Sequence, residues 1–210
     1  MTSSLQIKNL QLSRQGKQLL SLDETVNGGD ILTIMGPSGS GKSSLLNWIT
    51  GTLPNGFSAT GEIWLDGQNV GHLPTHLRHI GVLYQDALLF SHLSVSGNIA
   101  FAMPKNNKKQ RLEAIEYALE QVGLAGMGNR HPDHLSGGQQ ARVALLRTLL
   151  SEPKAILLDE PFSKLDTQLR ADTQELVFNQ IRTHKLPAIM VTHDYSDAEA
   201  ANGKVVTLTL

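Results

Sequence analysis

Gly36-Pro37-Ser38-Gly39-Ser40-Gly41-Lys42-Ser43 satisfies the pattern G-x-x-x-x-G-K-[ST] at every fixed position, and its flanks decide what it means. Before it, Ile31-Leu32-Thr33-Ile34-Met35 is short and apolar on both phases, as a central strand of a parallel sheet covered on both faces must be. After it, Leu45, Leu46 and Ile49 recur at helical spacing, predicting a helix from near Lys42. Strand, glycine-rich turn and helix together let a backbone wrap a phosphate: glycines admit close approach of amide hydrogens, and the helix start adds its positive end. Lys42 then reaches the β- and γ-phosphates of a nucleotide, and Ser43 offers a hydroxyl oxygen to Mg²⁺. The candidate phosphate-binding stretch therefore runs from Gly36 through Ser43 and its neighbour Ser44.

Two further strands carry polar chemistry at their carboxyl ends, where open α/β sheets place their ligands. Ala155-Ile156-Leu157-Leu158 is followed by Asp159 and Glu160. In an extended strand end adjacent side chains diverge, so Asp159 is assigned to the Mg²⁺ shell and Glu160 to polarising the attacking water. Without the phosphate loop such a pair would equally read as a strand passing into a solvated loop. Ala188 to Thr192 ends at His193. A doubly wound sheet would bring that imidazole to the γ-phosphate. A plain surface histidine is the alternative, and the irregular spacing of His184 and His193 argues against a metal site.

The rest of the chain bounds these readings. With 210 residues, 40% hydrophobic and 18% charged, it is long enough for one buried core with a smaller lobe. A formal charge of -1 gives no basic face for a nucleic-acid backbone, so no nucleic-acid partner is expected. No stretch approaches the roughly 20 apolar residues of a membrane span, and Met1 to Ile7 lacks the features of a secretory signal, so the chain is expected in the cytosol. The absence of cysteine excludes disulfides, thiolate metal sites and cysteine nucleophiles.

Leu5, Ile7, Leu10 and Leu12 alternate with polar residues except for one break in phase at Asn9, predicting a strand with one solvated face. Glu62 to Leu65, closed by Asp66-Gly67, reads as an antiparallel hairpin arm, and Ile80 to Leu83 as a further strand. From Phe101 to Gly123 the character changes. Pro104 and the polar run Lys105 to Lys109 predict a loop, and Leu112, Ile115, Leu119 and Val122 then recur at helical spacing. Residues 101–149 are thus the candidate for a helical subdomain, an ordinary surface excursion being the other reading of the polar loop.

Leu135-Ser136-Gly137-Gly138-Gln139 narrows the field, because it resembles the signature motif of ABC transporter ATP-binding subunits. The other motifs of that family stand in order around it: the phosphate loop, Gln85, Asp159-Glu160, Ser163-Lys164-Leu165-Asp166, and His193. The resemblance implies a RecA-like P-loop NTPase core of α/β class with an antiparallel β arm and an inserted helical subdomain. It implies ATP and Mg²⁺ as ligands, with Lys42, Gln85, Glu160 and His193 catalytic, and Ser43, Gln85 and Asp159 around the metal. It further implies a head-to-tail pair with a second copy or a homologous ATPase subunit. Ser136, Gly137, Gly138, Gln139 and Asp166 would complete the nucleotide site across that pair, the two glycines opening a helix whose end binds an anion.

Gln85 to Val95, followed by Asn98-Ile99-Ala100-Phe101, and His131-Pro132-Asp133-His134 resemble importers in particular, implying transmembrane permease subunits as partners. A substrate-binding protein is the further partner an importer allows, and the inner face of a bacterial plasma membrane the implied place. Leu88-Leu89-Phe90 would then line a groove for a permease helix, the other reading being core packing. Export or lipoprotein release is the alternative function, and a non-catalytic regulatory module another that Glu160 speaks against.

Three departures stand out. Where relatives stack an aromatic residue on adenine this chain has Ser13-Arg14-Gln15, so the candidates to take its place are Arg14, by stacking its planar guanidinium, and Leu12, by an apolar contact. Lys164 replaces a customary small residue, and few residues follow Asn202-Gly203-Lys204-Val205-Val206.

Overall fold

The computed structural model describes residues 3–105 and 107–208, so Met1, Thr2 and the predicted loop residue Asn106 lie outside the described residues. The elements begin with β1 (Ser4–Arg14), β2 (Lys17–Asn27), β3 (Ile31–Met35), α1 (Lys42–Thr50), β4 (Phe57–Leu65), β5 (Gln68–Asn69) and β6 (Ile80–Leu83). Next come α2 (Val95–Ala102), α3 (Lys108–Gln121) and α4 (Gly137–Leu149). The chain closes with β7 (Ala155–Asp159), α5 (Thr167–Thr183), β8 (Ala188–Thr192), α6 (Tyr195–Ala201) and β9 (Lys204–Thr207). It forms two compact units: Met1–Ile80, Lys154–Glu160 and Phe178–Leu210 in one, Gly81–Pro153 and Pro161–Val177 in the other.

The first unit is a RecA-like P-loop core carrying an antiparallel arm. Its parallel strands run β7-β8-β3-β9, and every residue of β3 and β8 is buried. Strands apolar on both phases can occupy only such central positions. In the arm, ordered β2-β1-β4-β5, Leu5, Ile7, Leu10 and Leu12 of β1 all face inward. The phase break at Asn9 is a β-bulge: its φ is 50°, and the register steps from Ile7↔Glu24 to Leu10↔Leu22. Gly61 on β4 lies against that bulge with φ 123°, and a Cβ there would stand 2.8 Å from Leu10 Cα and 2.9 Å from the Lys8 carbonyl oxygen. Only glycine lets the two backbones pass so closely.

Strand β2 has no counterpart in the sequence reading. Leu20, Leu22 and Val26 are buried, but Leu19 beside them and Asp23-Glu24 between them blur the alternation. Strand β9 pairs in parallel with β3, Leu32↔Lys204 to Met35↔Thr207, extending structure past the last element predicted.

The second unit is helical. Val95 and Ile99 of α2, Ile115 and Leu119 of α3, and Val143 and Leu146 of α4 make its core. Two expectations are corrected. The loop predicted to run to Lys109 ends at Asn107, whose side chain accepts a hydrogen bond from the Lys109 amide at 2.9 Å and starts α3 at Lys108. Leu112, expected inside, is 48% exposed, because the packed stripe of α3 begins a turn later at Ile115. No helix among the described residues is long and apolar enough to cross a membrane.

Candidate active site

Strands β3, β7 and β8 are parallel and in register, Met35 level with Thr192 and Val191 with Asp159. Their carboxyl ends therefore lie side by side, and the chemistry predicted from three separate stretches of sequence emerges at one end of one sheet.

The loop after β3 turns into α1 through Gly39 at φ 86° and Gly41 at φ 93°. The left-handed backbone at Gly41 disfavours any other residue, and a Cβ there would also sit tightly, 3.3 Å from the Leu20 side chain. Helix α1 has no side-chain cap and no acidic residue in its first turn. Its first amide hydrogens and positive end are left for an external anion. Lys42 is only 7% exposed, and its Nζ donates to the Gly36 and Pro37 carbonyl oxygens at 2.7 and 3.0 Å.

One residue along, Ser43 Oγ donates to Asp159 Oδ1 at 3.4 Å. Burial pushes the Asp159 carboxyl above the ordinary carboxylate range, and the Glu160 charge adds to this. The Ser43 hydrogen bond and Lys42 pull the other way. A carboxylate penalised by burial gains strongly from a cation, and a hydroxyl beside a carboxylate is a hard-oxygen pair suited to Mg²⁺. Among the described residues no group of three acidic, histidine or cysteine side chains could hold a metal. The donor set thus fits a Mg²⁺ that completes its shell with substrate phosphates and water rather than an all-protein cage.

Glu160 has φ 47°, a left-handed conformation that costs a non-glycine residue of order 1 kcal/mol or more and is found where a side chain must be aimed. Its amide still donates to the Val191 carbonyl oxygen at 3.0 Å, which pins the backbone to β8. Glu160 Oε1 lies 3.2 Å from His193 Nδ1. Asp159 and Glu160 therefore point to different partners, as expected, but through a left-handed step off the strand rather than the pleat of a continuing one.

The phosphate loop from Ser38 to Ser44 and Glu160 line a cleft of about 320 Å³ together with Arg14, Leu19 and Phe57. Arg14 thus lines the same cleft as the phosphate loop. The segment Ser13-Arg14-Gln15 carries no aromatic side chain, but a ring from another strand stands beside it: Phe57 opens β4 directly across from Arg14, whose guanidinium lies 5.3 Å from the ring centre. Phe57 was missed because it is far from Arg14 in sequence. The available signal was an aromatic residue starting a strand after the turn Pro54-Asn55-Gly56.

The second unit holds the remaining predicted residues. Ser136 caps α4 in a reciprocal box: its Oγ accepts from the Gln139 amide at 3.3 Å, and Gln139 Oε1 accepts from the Ser136 amide at 3.0 Å. The two glycines differ. A Cβ at Gly138 would lie 2.5 Å from Leu169 Cδ1, whereas nothing lies within 4 Å of one at Gly137. A Cβ at Gly138 therefore forces the Leu169 side chain to shift, and Gly137 leaves an open face. Asp166 Oδ1 accepts from the Leu169 amide at 3.0 Å and so opens α5. Exposed Lys164 is ion-paired with Asp86, next to Gln85, and all three line a groove that also includes Gly137.

Leu88-Leu89-Phe90 divides between its two readings. Leu89 packs on the helical core, Leu88 is 58% exposed with φ 45°, and Phe90 is half-buried with its ring centre 4.7 Å from that of exposed Phe101. Two side chains fix this loop. Buried Asn98 accepts from the Phe90 amide at 2.7 Å and donates to the Phe90 and Ser94 carbonyls, and Arg147 donates to the Ala87 and Leu88 carbonyls.

A family model described as ABC transporter matches residues 19–163. The uncharacterized ABC transporter ATP-binding protein YnjD of Escherichia coli (strain K12) is 50% identical over 196 residues, covering 92% of this chain and 90% of that protein. The thiamine import ATP-binding protein ThiQ of Jannaschia sp. (strain CCS1) is 42% identical, with 97% and 88% covered. The Fe(3+) ions import ATP-binding protein FbpC of Serratia marcescens is 43% identical over 93% of this chain, which spans 57% of that longer protein.

Proposed function

The chain belongs to the ABC transporter family, and on that premise we propose how its residues divide the work of an ATP-driven transport subunit. It is an ATP-binding and ATP-hydrolysing subunit of importer type that acts through transmembrane permease partners. The residue assignment is carried by one observation: at neighbouring strand ends Ser43 is bonded to Asp159, while Glu160 is paired with His193.

Lys42 and the amide hydrogens of Gly39 to Ser44 hold the β- and γ-phosphates of ATP. Ser43 and Asp159 would hold Mg²⁺, which when bound neutralises charge on the phosphate oxygens. Glu160 takes the role of orienting and polarising the attacking water, its carboxylate fixed by the left-handed backbone and by His193. With Nδ1 committed to Glu160, His193 offers Nε2 to the γ-phosphate.

A second copy or a homologous subunit supplies Ser136 and Gly137 to the same phosphate, so that cleavage of the γ-phosphate removes the ligand joining the two subunits. The loop carrying Leu88 and Phe90, with Phe101 of α2 beside it, meets the permease, at the cytoplasmic face of the membrane. Iron(III) and thiamine, named for relatives of near-equal identity, share no recognition chemistry, so the cargo is read by the other subunits, among them a substrate-binding protein.

The test is recovery of the tagged full chain from native membranes with and without Phe90→Ala. Polytopic membrane proteins should copurify with the unsubstituted chain and be depleted from the variant, which should still bind ATP. Equal recovery of the same membrane proteins by both would refute the docking role of Phe90, and recovery of none by either would refute the permease partnership.

A further inference from the structure

Glu160 is aimed by its own backbone, whereas the side chain of His193 is 60% exposed and packing does not confine its ring. A ring with open space around it spreads over several rotamers unless the backbone that carries it is fixed. The residues on either side supply that restraint. Thr192 ends β8 and Asp197 lies on α6, each only 1% exposed, and Thr192 Oγ1 donates to Asp197 Oδ2 at 2.7 Å. The same hydroxyl oxygen accepts from the Asp194 amide at 3.1 Å. One hydroxyl thus ties the residue before His193 to the residue after it, and both to α6. Asp194 Oδ1 in turn accepts from the Ser196 amide and hydroxyl, each at 2.8 Å, and at the far end of the helix Arg182 donates to the Ala201 carbonyl oxygen at 2.8 Å.

We propose that Thr192 and Asp197 are positioning residues for hydrolysis: their buried hydroxyl–carboxylate bond fixes the turn that carries His193, and so keeps Nδ1 on Glu160 and Nε2 toward the γ-phosphate. The inference rests on the reading of Glu160 and His193 as the hydrolytic pair and adds the groups that hold it. A carboxylate out of water is costly, and an apolar pair of similar size would fill the same space without that cost. A directional bond does what packing cannot, because it sets the angle at which the chain leaves the strand. Thr192 is level with Met35, the residue before the phosphate loop, so that angle decides where the imidazole stands relative to the phosphates. Both side chains are buried and act through His193, which makes the rate of cleavage, and not the binding of ATP, the quantity they control.

Thr192→Val removes the hydroxyl and keeps the shape, while Thr192→Ser keeps the hydroxyl. In the chain assembled with its membrane partners, Thr192→Val should lower kcat roughly 10- to 100-fold with KM for MgATP within about twofold of wild type, and Thr192→Ser should recover kcat to within about threefold. Nitrogen NMR of the full chain with labelled histidine reads the ring directly, the His193 signal being the one lost in His193→Gln. That signal should show the Nδ1-protonated tautomer in the wild type and shift in Thr192→Val toward its position in Glu160→Gln, where the carboxylate is gone. The double variant Thr192→Val/Asp197→Leu leaves no unpaired buried carboxylate, so it should keep the wild-type melting temperature within a few degrees and still lose kcat.

A kcat within about twofold of wild type in Thr192→Val or in the double variant would overturn the positioning role, and so would an unmoved His193 signal. A loss of ATP affinity equal to the loss of kcat, or failure of both variants to fold, would mark the bond as merely structural and overturn it too. His193→Ala provides the separate control. If it hydrolyses ATP at the wild-type rate, the reading of Glu160 and His193 as the hydrolytic pair fails; if it is slow while Thr192→Val is not, only the positioning role fails.

Discussion

Helices α1 and α4 both start on glycine-containing turns assigned to the same phosphate, yet they satisfy their first amide hydrogens in opposite ways. Gly41 leads into α1 with no side chain on those hydrogens, while Ser136 and Gln139 close a capping box on α4. An uncapped end gains most from an anion and is unsatisfied without one. A capped end is stable either way and loses little when the anion leaves. The first construction suits a site that holds nucleotide throughout a cycle. The second suits a contact made and broken once per cycle.

Substitutions at the two helix starts should separate these roles. The largest effect belongs to α1: Lys42→Ala removes the charged donor and should weaken MgATP binding roughly 10- to 100-fold, the value of charge-assisted hydrogen bonds of about 1.5–3 kcal/mol, measured by titration calorimetry. Normal binding by this variant would mean that α1 is not the resident phosphate site. Next, Gly138→Ala drives a Cβ into Leu169 and should cost about 1–3 kcal/mol in denaturant unfolding. Gly137→Ala, with open space around it, should leave stability within about 1 kcal/mol while slowing hydrolysis in the assembled complex. Equal destabilisation by both would erase the distinction between packing glycine and contact glycine. The smallest effect is expected from Ser136→Ala, about 1 kcal/mol of stability for a lost cap. Full ATPase activity in that variant would leave Ser136 a cap and nothing more.

The same contrast explains what could be read from the sequence. Phosphate wrapping is local, so Gly36 to Ser43 declares itself through fixed spacing, and a buried parallel strand such as Ile31 to Met35 declares itself through an uninterrupted apolar run. Even the bulge at Asn9 left a trace as a break in alternation. Pairings between distant stretches leave none. Strand β2 is marked chiefly by its partner β1, and Phe57 meets Arg14 only through the register of β4 on β1. The inward direction of Leu89 and the outward direction of Leu88 depend on a left-handed residue at position 88 and on the grip of Asn98 and Arg147, none of which a run of apolar letters encodes.

The central claim is that hydrolysis depends on Glu160 as a carboxylate aimed at water, distinct from the Asp159 beside it. Glu160→Gln preserves shape and removes that charge, so steady-state phosphate release by the chain assembled with its membrane partners should fall on the order of 100-fold or more while ATP binding is retained. Phosphate release within about threefold of wild type would contradict the account.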